Sequence, residues 1–208
     1  MKRFSVKKKD KEKKTEVKEA DFLLNFADSL EDKLRLTGIY GDINEEKCSE
    51  AVFGLLLLDS EKNKTDEKET NDPVDFYVST YGGLSTEMFA VYDTIRMIRD
   101  RTPIHTYGIG KVMSAGVLLL ACGTKGERRI GKNCRVMIHG VIAGQHGHLQ
   151  DVENEFEEAK FTQRLYVKAL AQETDMTERH IKKLMDRKTN VYIDAEKAVE
   201  LGIADIVF

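Results

Sequence analysis

The sequence predicts an α/β domain with largely parallel strands. Three observations lead there: apolar strand-like runs alternate with helical periodicities from Val74 onward, a Gly-Gly pair closes one strand, and the chain ends on a helix, a glycine and a short apolar run. With 208 residues the chain suits one domain with an appendage and can bury a substantial core.

The first segment, "MKRFSVKKKDKEKKTEVKEA", is lysine-rich and poor in apolar residues, so residues 1–20 read as a solvated, charged arm and 21–208 as the domain. "DFLLNFADSLEDKL" sets Phe22, Leu23, Phe26 and Leu30 at helical spacing. "LRLTGIYGDI" alternates as a strand, and "NEEKCSEAVFGLLLLDSE" is a helix with an asparagine start signal. "KNKTDEKETNDP" is polar throughout and reads as an exposed loop.

"VDFYVSTYGG" is then a buried strand. In "LSTEMFAVYDTIRMIRDR" the residues Met88, Val91, Ile95 and Ile98 share one helical face. "PIHTYGIG" predicts a second strand, "VMSAGVLLLACG" a second helix and "CRVMIHGVIAG" a third strand. "LQDVENEFEEAKFTQRLYVKALAQET" is a long helix with an acidic first turn and an incomplete apolar stripe of Val152, Phe156, Ala159, Leu165 and Leu170. "TERHIKKLMDR" opens a further helix at Thr177, and "DAEKAVELGIADIVF" supplies the last helix, a glycine stop and the last strand. No internal repeat is present.

Composition narrows the function. No apolar run is long enough to span a membrane, and the charged start is unlike a signal peptide, which gives the expectation of a cytoplasmic protein. Cys48, Cys122 and Cys134 lack paired short spacing and suit buried thiols in a reducing compartment. Thirty-three basic against 36 acidic residues, a net charge of -3, argue against nucleic acid as partner.

Chemistry centres on Ser114, in "GKVMSAGVLLLACG". A serine between Met113 and Ala115 is ordinarily a small helix-start residue. Its position at a strand-to-helix turn, with the backbone N–H of Ala115 next in line, the Gly82-Gly83 turn on a neighbouring strand and His139 ending another, also fits a nucleophile with a base and an oxyanion hole. His146 and His148 share a face if extended, but no third ligand lies nearby, so no metal and no cofactor are assigned. His105 and His180 read as surface or packing histidines.

The pieces "DFYVSTYGGLSTEMFAVYDTIRMI", "GIGKVMSAGVLLLACGTKGERRIGKNCRVMIHGVIAG" and "DAEKAVELGIADIVF" resemble the family of proteolytic subunits of the ATP-dependent Clp protease, ClpP, over about Leu34 to Phe208. The resemblance implies a crotonase-like fold of stacked βαβ units with a long handle helix. It also implies serine peptidase activity on unfolded polypeptides, heptameric rings stacked as a homo-oligomeric tetradecamer, and an AAA+ unfoldase as partner. Residue by residue, it makes Ser114 the nucleophile, His139 the general base, and the N–H groups of Gly83 and Ala115 the oxyanion hole.

The chain departs from the family at three places. Thr80 and Tyr81 stand where the family has Ser-Pro. Asn190 stands where the family carries its catalytic aspartate; an amide oxygen can orient the imidazole but adds no charge, so weak activity is expected unless Asp186 or Asp194 substitutes. The lysine-rich arm and the long polar loop replace regions where a partner would dock. An inactive ring component and a crotonase-type acyl-CoA enzyme are the alternative readings.

Overall fold

A computed structural model describes residues 34–61, 71–186 and 189–208. One compact unit runs from Leu36 to Phe208. The charged arm, nearly all of the "DFLLNFADSLEDKL" segment and most of the polar loop lie outside the described residues.

Seven strands and six helices alternate among the described residues. In chain order they are β1 (Leu36–Tyr40), α1 (Glu45–Ser60), β2 (Val74–Thr80), α2 (Ser85–Ile98), β3 (Ile104–Met113), α3 (Ala115–Ala121), β4 (Arg128–Ile130), β5 (Arg135–Ile138), α4 (Leu149–Glu173), α5 (Glu178–Met185), β6 (Val191–Ile193), α6 (Ala195–Glu200) and β7 (Ile206–Val207). The sheet runs β1-β2-β3-β4-β7, with β5 also pairing β3 and β6 pairing β5. Every pair is parallel except β5 with β6. This is the mixed α/β, parallel-sheet architecture that the alternating pattern predicts.

Local signals act where the sequence places them. The Asn44 side chain accepts from Lys47 N to start α1, and Thr177 does the same from His180 N for α5. Met88, Val91, Ile95 and Ile98 are fully buried on one face of α2. Gly202, at φ 69°, follows the last residue of α6's cap, a left-handed position suited to glycine.

Three expectations need correction. The second strand continues through Met113, so the next helix starts at Ala115 and not at Val112; Val112 is held in the ladder by Thr80 and Val136. The third strand stops at Ile138, because beyond it the chain meets no ladder partner and runs through residues 139–148 without regular structure. Two three-residue strands, β4 and β6, are too short to read as strands, and β4 is also polar in sequence.

The strand β3 divides the sheet. Its Thr106–Gly108 portion pairs with β4, while Lys111–Met113 pairs with β5 on the same side. The break coincides with a bulge against β2, whose Val78 and Thr80 face Gly108 and Val112, and with Gly110 at φ 66°. A bulge at this position bends the strand and re-aims everything after it. Ser114 is the first residue beyond the bent strand.

A polar hub locks the helices behind the sheet. Glu173, fully buried, accepts from Tyr92 Oη (3.1 Å), Arg96 (3.0 Å) and Arg99 (2.8 Å), so the buried carboxylate is both paired and hydrogen-bonded. Burial, together with the charge of Glu173, pushes the Tyr92 phenol up to about 12. Arg128, buried in β4, binds Asp205 and donates to the carbonyls of Glu173 and Gly202, tying the last strand to the end of α4.

Candidate active site

The site grows from one strained residue. Ser114 has φ 54° and ψ −122°, the only non-glycine among the described residues in the left-handed half of backbone space. Such a conformation costs a serine about 1–3 kcal/mol and persists only where its surroundings hold it. Three hydrogen bonds do so here. Ser114 N–H donates to the Met137 carbonyl at 2.8 Å, while its own carbonyl accepts from Val117 N at 3.0 Å and from Tyr166 Oη at 2.9 Å. Its side chain makes no capping hydrogen bond, so the ordinary helix-start role is not the one it fills. A sharp strand-to-helix turn that leaves a hydroxyl free is the geometry of a presented nucleophile.

The Gly82-Gly83 turn abuts it. Both residues have positive φ, 106° and 153°, and a Cβ on Gly83 would lie 2.1 Å from the Ile43 carbonyl oxygen. A Cβ on Gly82 would lie 2.7 Å from that of Ser114. Only glycines let these two segments approach so closely. Thr80, where a serine stands in the family pattern, is buried, and its hydroxyl accepts from Gly82 N at 2.9 Å, so the altered entry still braces the turn. The N–H groups of Gly83 and Ala115 have no hydrogen-bond partner among the described residues.

Ser114, Ala115, Gly83 and His139 line one cavity of about 350 Å³, together with Tyr81, Leu84, Met88, Ile142 and Tyr166. His139 comes directly after β5. Its Nδ1 lies 2.6 Å from the Gly140 carbonyl oxygen, and since a carbonyl can only accept, the proton sits on Nδ1. On a neutral ring held this way the lone pair is on Nε2. Among the described residues no hydrogen bond joins His139 to Ser114; catalytic hydrogen bonds often tighten only around a substrate.

Asn190 does not line the cavity. It is exposed and immediately precedes β6, whose antiparallel register with β5 pairs Ile138 with Val191. Carrying that register on by one residue sets Asn190 opposite His139. The two carboxylates that could substitute for it are placed elsewhere: Asp194 caps α6 by accepting from Lys197 N at 2.8 Å, and Asp186 ends α5, exposed.

The remaining candidates lie apart from this centre. His146 and His148 are exposed in the irregular segment ahead of α4. Among the described residues no three metal-ligating side chains cluster. Cys48, Cys122 and Cys134 are free and buried, and burial pushes their thiols up to about 11, 12 and 11, the mark of unreactive groups. No described helix is long and apolar enough to cross a membrane.

Sequence reasoning missed two side chains, both on α4. Tyr166 holds the Ser114 carbonyl, and Gln163 Oε1 accepts from Val141 N–H at 3.0 Å. A tyrosine in an apolar stripe and a glutamine on a polar one carry no distinguishing signal in sequence. Comparison with known families gives a match that agrees with this geometry: the family described as Clp protease, over residues 26–208.

Proposed function

The chain belongs to the Clp protease family, a family of peptidases, and from that premise we propose that it is a serine endopeptidase subunit acting on unfolded polypeptide. One observation carries the proposal: Ser114 is held in a strained turn, free of capping duty, in a cavity it shares with His139, Gly83 and Ala115. Ser114 Oγ attacks the scissile carbonyl carbon as His139 Nε2 takes its proton. The oxygen that becomes negative is received by the N–H groups of Gly83 and Ala115, which need break no existing hydrogen bond. Collapse expels the amine, which carries away the proton from His139. Water then repeats the cycle on the acyl-serine. Tyr81, Leu84, Met88 and Ile142 favour an apolar side chain beside the cut.

The third member of the group is neutral. Asn190, opposite His139 by register, could accept from Nδ1–H only in place of the Gly140 carbonyl, and it cannot compensate the charge of the imidazolium. This favours, as a second reading, a slow or inactive subunit that contributes its surface to a ring. Labelling of the full chain with a fluorophosphonate, read by intact mass, separates the two. The peptidase reading expects one adduct, lost in Ser114→Ala; no adduct on the parent, or labelling unchanged in Ser114→Ala, refutes it.

A further inference from the structure

A single peptide unit lies between His139 and Gln163. The Gly140 carbonyl that accepts from Nδ1 and the Val141 N–H that donates to Gln163 Oε1 belong to the same planar group. In a trans peptide these two bonds point in opposite directions, so the unit is gripped at both ends: by the imidazole on one side and by the amide of α4 on the other. The Gln163 assignment is unambiguous chemically, because an N–H can be met only by the amide oxygen. Turning the peptide would break both bonds at once.

We infer that Gln163 is a positioning residue for His139: by clamping the Gly140–Val141 peptide it holds the neutral Gly140 carbonyl as the acceptor of the Nδ1 proton, a place for which the family resemblance implies a charged aspartate. The inference rests on the reading of Ser114 and His139 given above. Gln163 itself does not line the cavity, whereas His139, Gly140 and Val141 do, so it acts through the peptide and not on substrate. Residue 140 is part of the device. A Cβ there would lie 3.2 Å from Gln163 Oε1, tighter than ordinary contact, so glycine lets the amide close on the peptide. Without the clamp the segment after β5 has no ladder partner, and the peptide would be free to rotate its carbonyl away from Nδ1.

The test uses Gln163→Leu, which keeps bulk and removes the acceptor, and Gln163→Glu, which keeps an oxygen. Two quantities are measured on the full-length assembled protein. The first is the rate of fluorophosphonate labelling at Ser114 across pH. The second is the protonation of the two ring nitrogens of His139 by ¹⁵N NMR of histidine-labelled protein, assigned by the signal lost in His139→Asn. The parent should show a proton on Nδ1. Gln163→Leu should give a mixture of tautomers and slow labelling by about 10- to 100-fold, the scale of a misplaced catalytic group, and Gln163→Glu should recover both. A Gln163→Leu protein that keeps the parent tautomer, or labels at the parent rate over the whole pH range, overturns the clamp. A parent that is never labelled refutes the peptidase reading instead, and the NMR comparison still decides the clamp.

Discussion

The strain at Ser114 predicts that the protein gains stability when this serine is replaced in one particular way. At φ 54° and ψ −122° a glycine is at ease, whereas serine and alanine carry the same Cβ conflict of about 1–3 kcal/mol. Ser114→Ala therefore removes the hydroxyl and leaves the strain, and since Oγ makes no capping bond its loss costs little. Ser114→Gly removes both. Against the gain stands the greater freedom of glycine in the unfolded chain, about 0.4–1 kcal/mol. The glycine variant should thus exceed the alanine variant by roughly 1 kcal/mol, which for a chain of this size is about 2–4 °C in Tm. The hydrogen bonds that fix the turn use backbone atoms and Tyr166, and survive in both variants. Calorimetry of both proteins, at matched concentration and confirmed equal assembly, gives the comparison. A glycine variant that melts no higher than the alanine one would show that the turn is not strained.

Three other substitutions and one measurement on the parent protein have stated outcomes. Asn190→Asp should raise hydrolysis of a fluorogenic peptide by up to about four orders of magnitude, in a manner that requires Ser114; an increase that persists in the Ser114→Ala background refutes the assignment. Glu173→Ala leaves Arg96 and Arg99 without their shared buried counter-charge and should cost about 3–5 kcal/mol, seen as a lower denaturant midpoint; a midpoint at the parent value would discount the hub. Although burial pushes the Asp205 carboxyl up, the hydrogen bonds and charge of Arg128 prevail and hold it below the usual carboxylate range. Its stabilising contribution is present above the unfolded pKa of about 3.9 and disappears as pH falls through the lower folded value, so Asp205→Asn should flatten the acid side of the Tm–pH curve. Leu149, Phe156, Phe161 and Leu165 stay exposed along α4, a surface a lone subunit would leave wet; with the heptameric rings that the family resemblance implies, sedimentation should give the mass of a ring or a pair of rings, and a monomer at micromolar concentration would contradict it.

The helical faces were legible because a helix carries its own period. Met88, Val91, Ile95 and Ile98 declare α2 without reference to anything else. Strands are different, since they exist only with a partner that the local sequence does not name. "HGVIAG" reads as the end of a strand yet finds no ladder partner among the described residues, and Ile142 ends up 84% exposed. The reverse holds for β4, where "RRI" reads as polar surface but Arg128 is buried against Asp205 and two carbonyls. Ser114 and His139 could be picked out as chemically suited, but their meeting in one cavity depends on the bulge at Gly110, which periodicity does not reveal. Gln163 was invisible for a simpler reason: its partner is a backbone N–H, and any residue supplies one.

The fork in β3 separates the molecule into parts that need not melt together. The β5–β6 limb, which bears His139 and adjoins Asn190, is joined to β3 by three register positions, Lys111 to Met113, and has β6 as its open edge. The other limb is continuous from β1 through β4 to β7 and encloses the largest buried side chains, Phe76 and Ile104 among them. Short, edge-bound ladders open at lower free energy than central ones. The amide of Ser114, which donates to Met137, is therefore part of the weaker limb and should exchange with solvent hydrogen ahead of the amides of β2. On the reading proposed for Ser114 and His139, competence then has its own local equilibrium: the chain can keep the rest of its sheet while these two residues come apart and re-form.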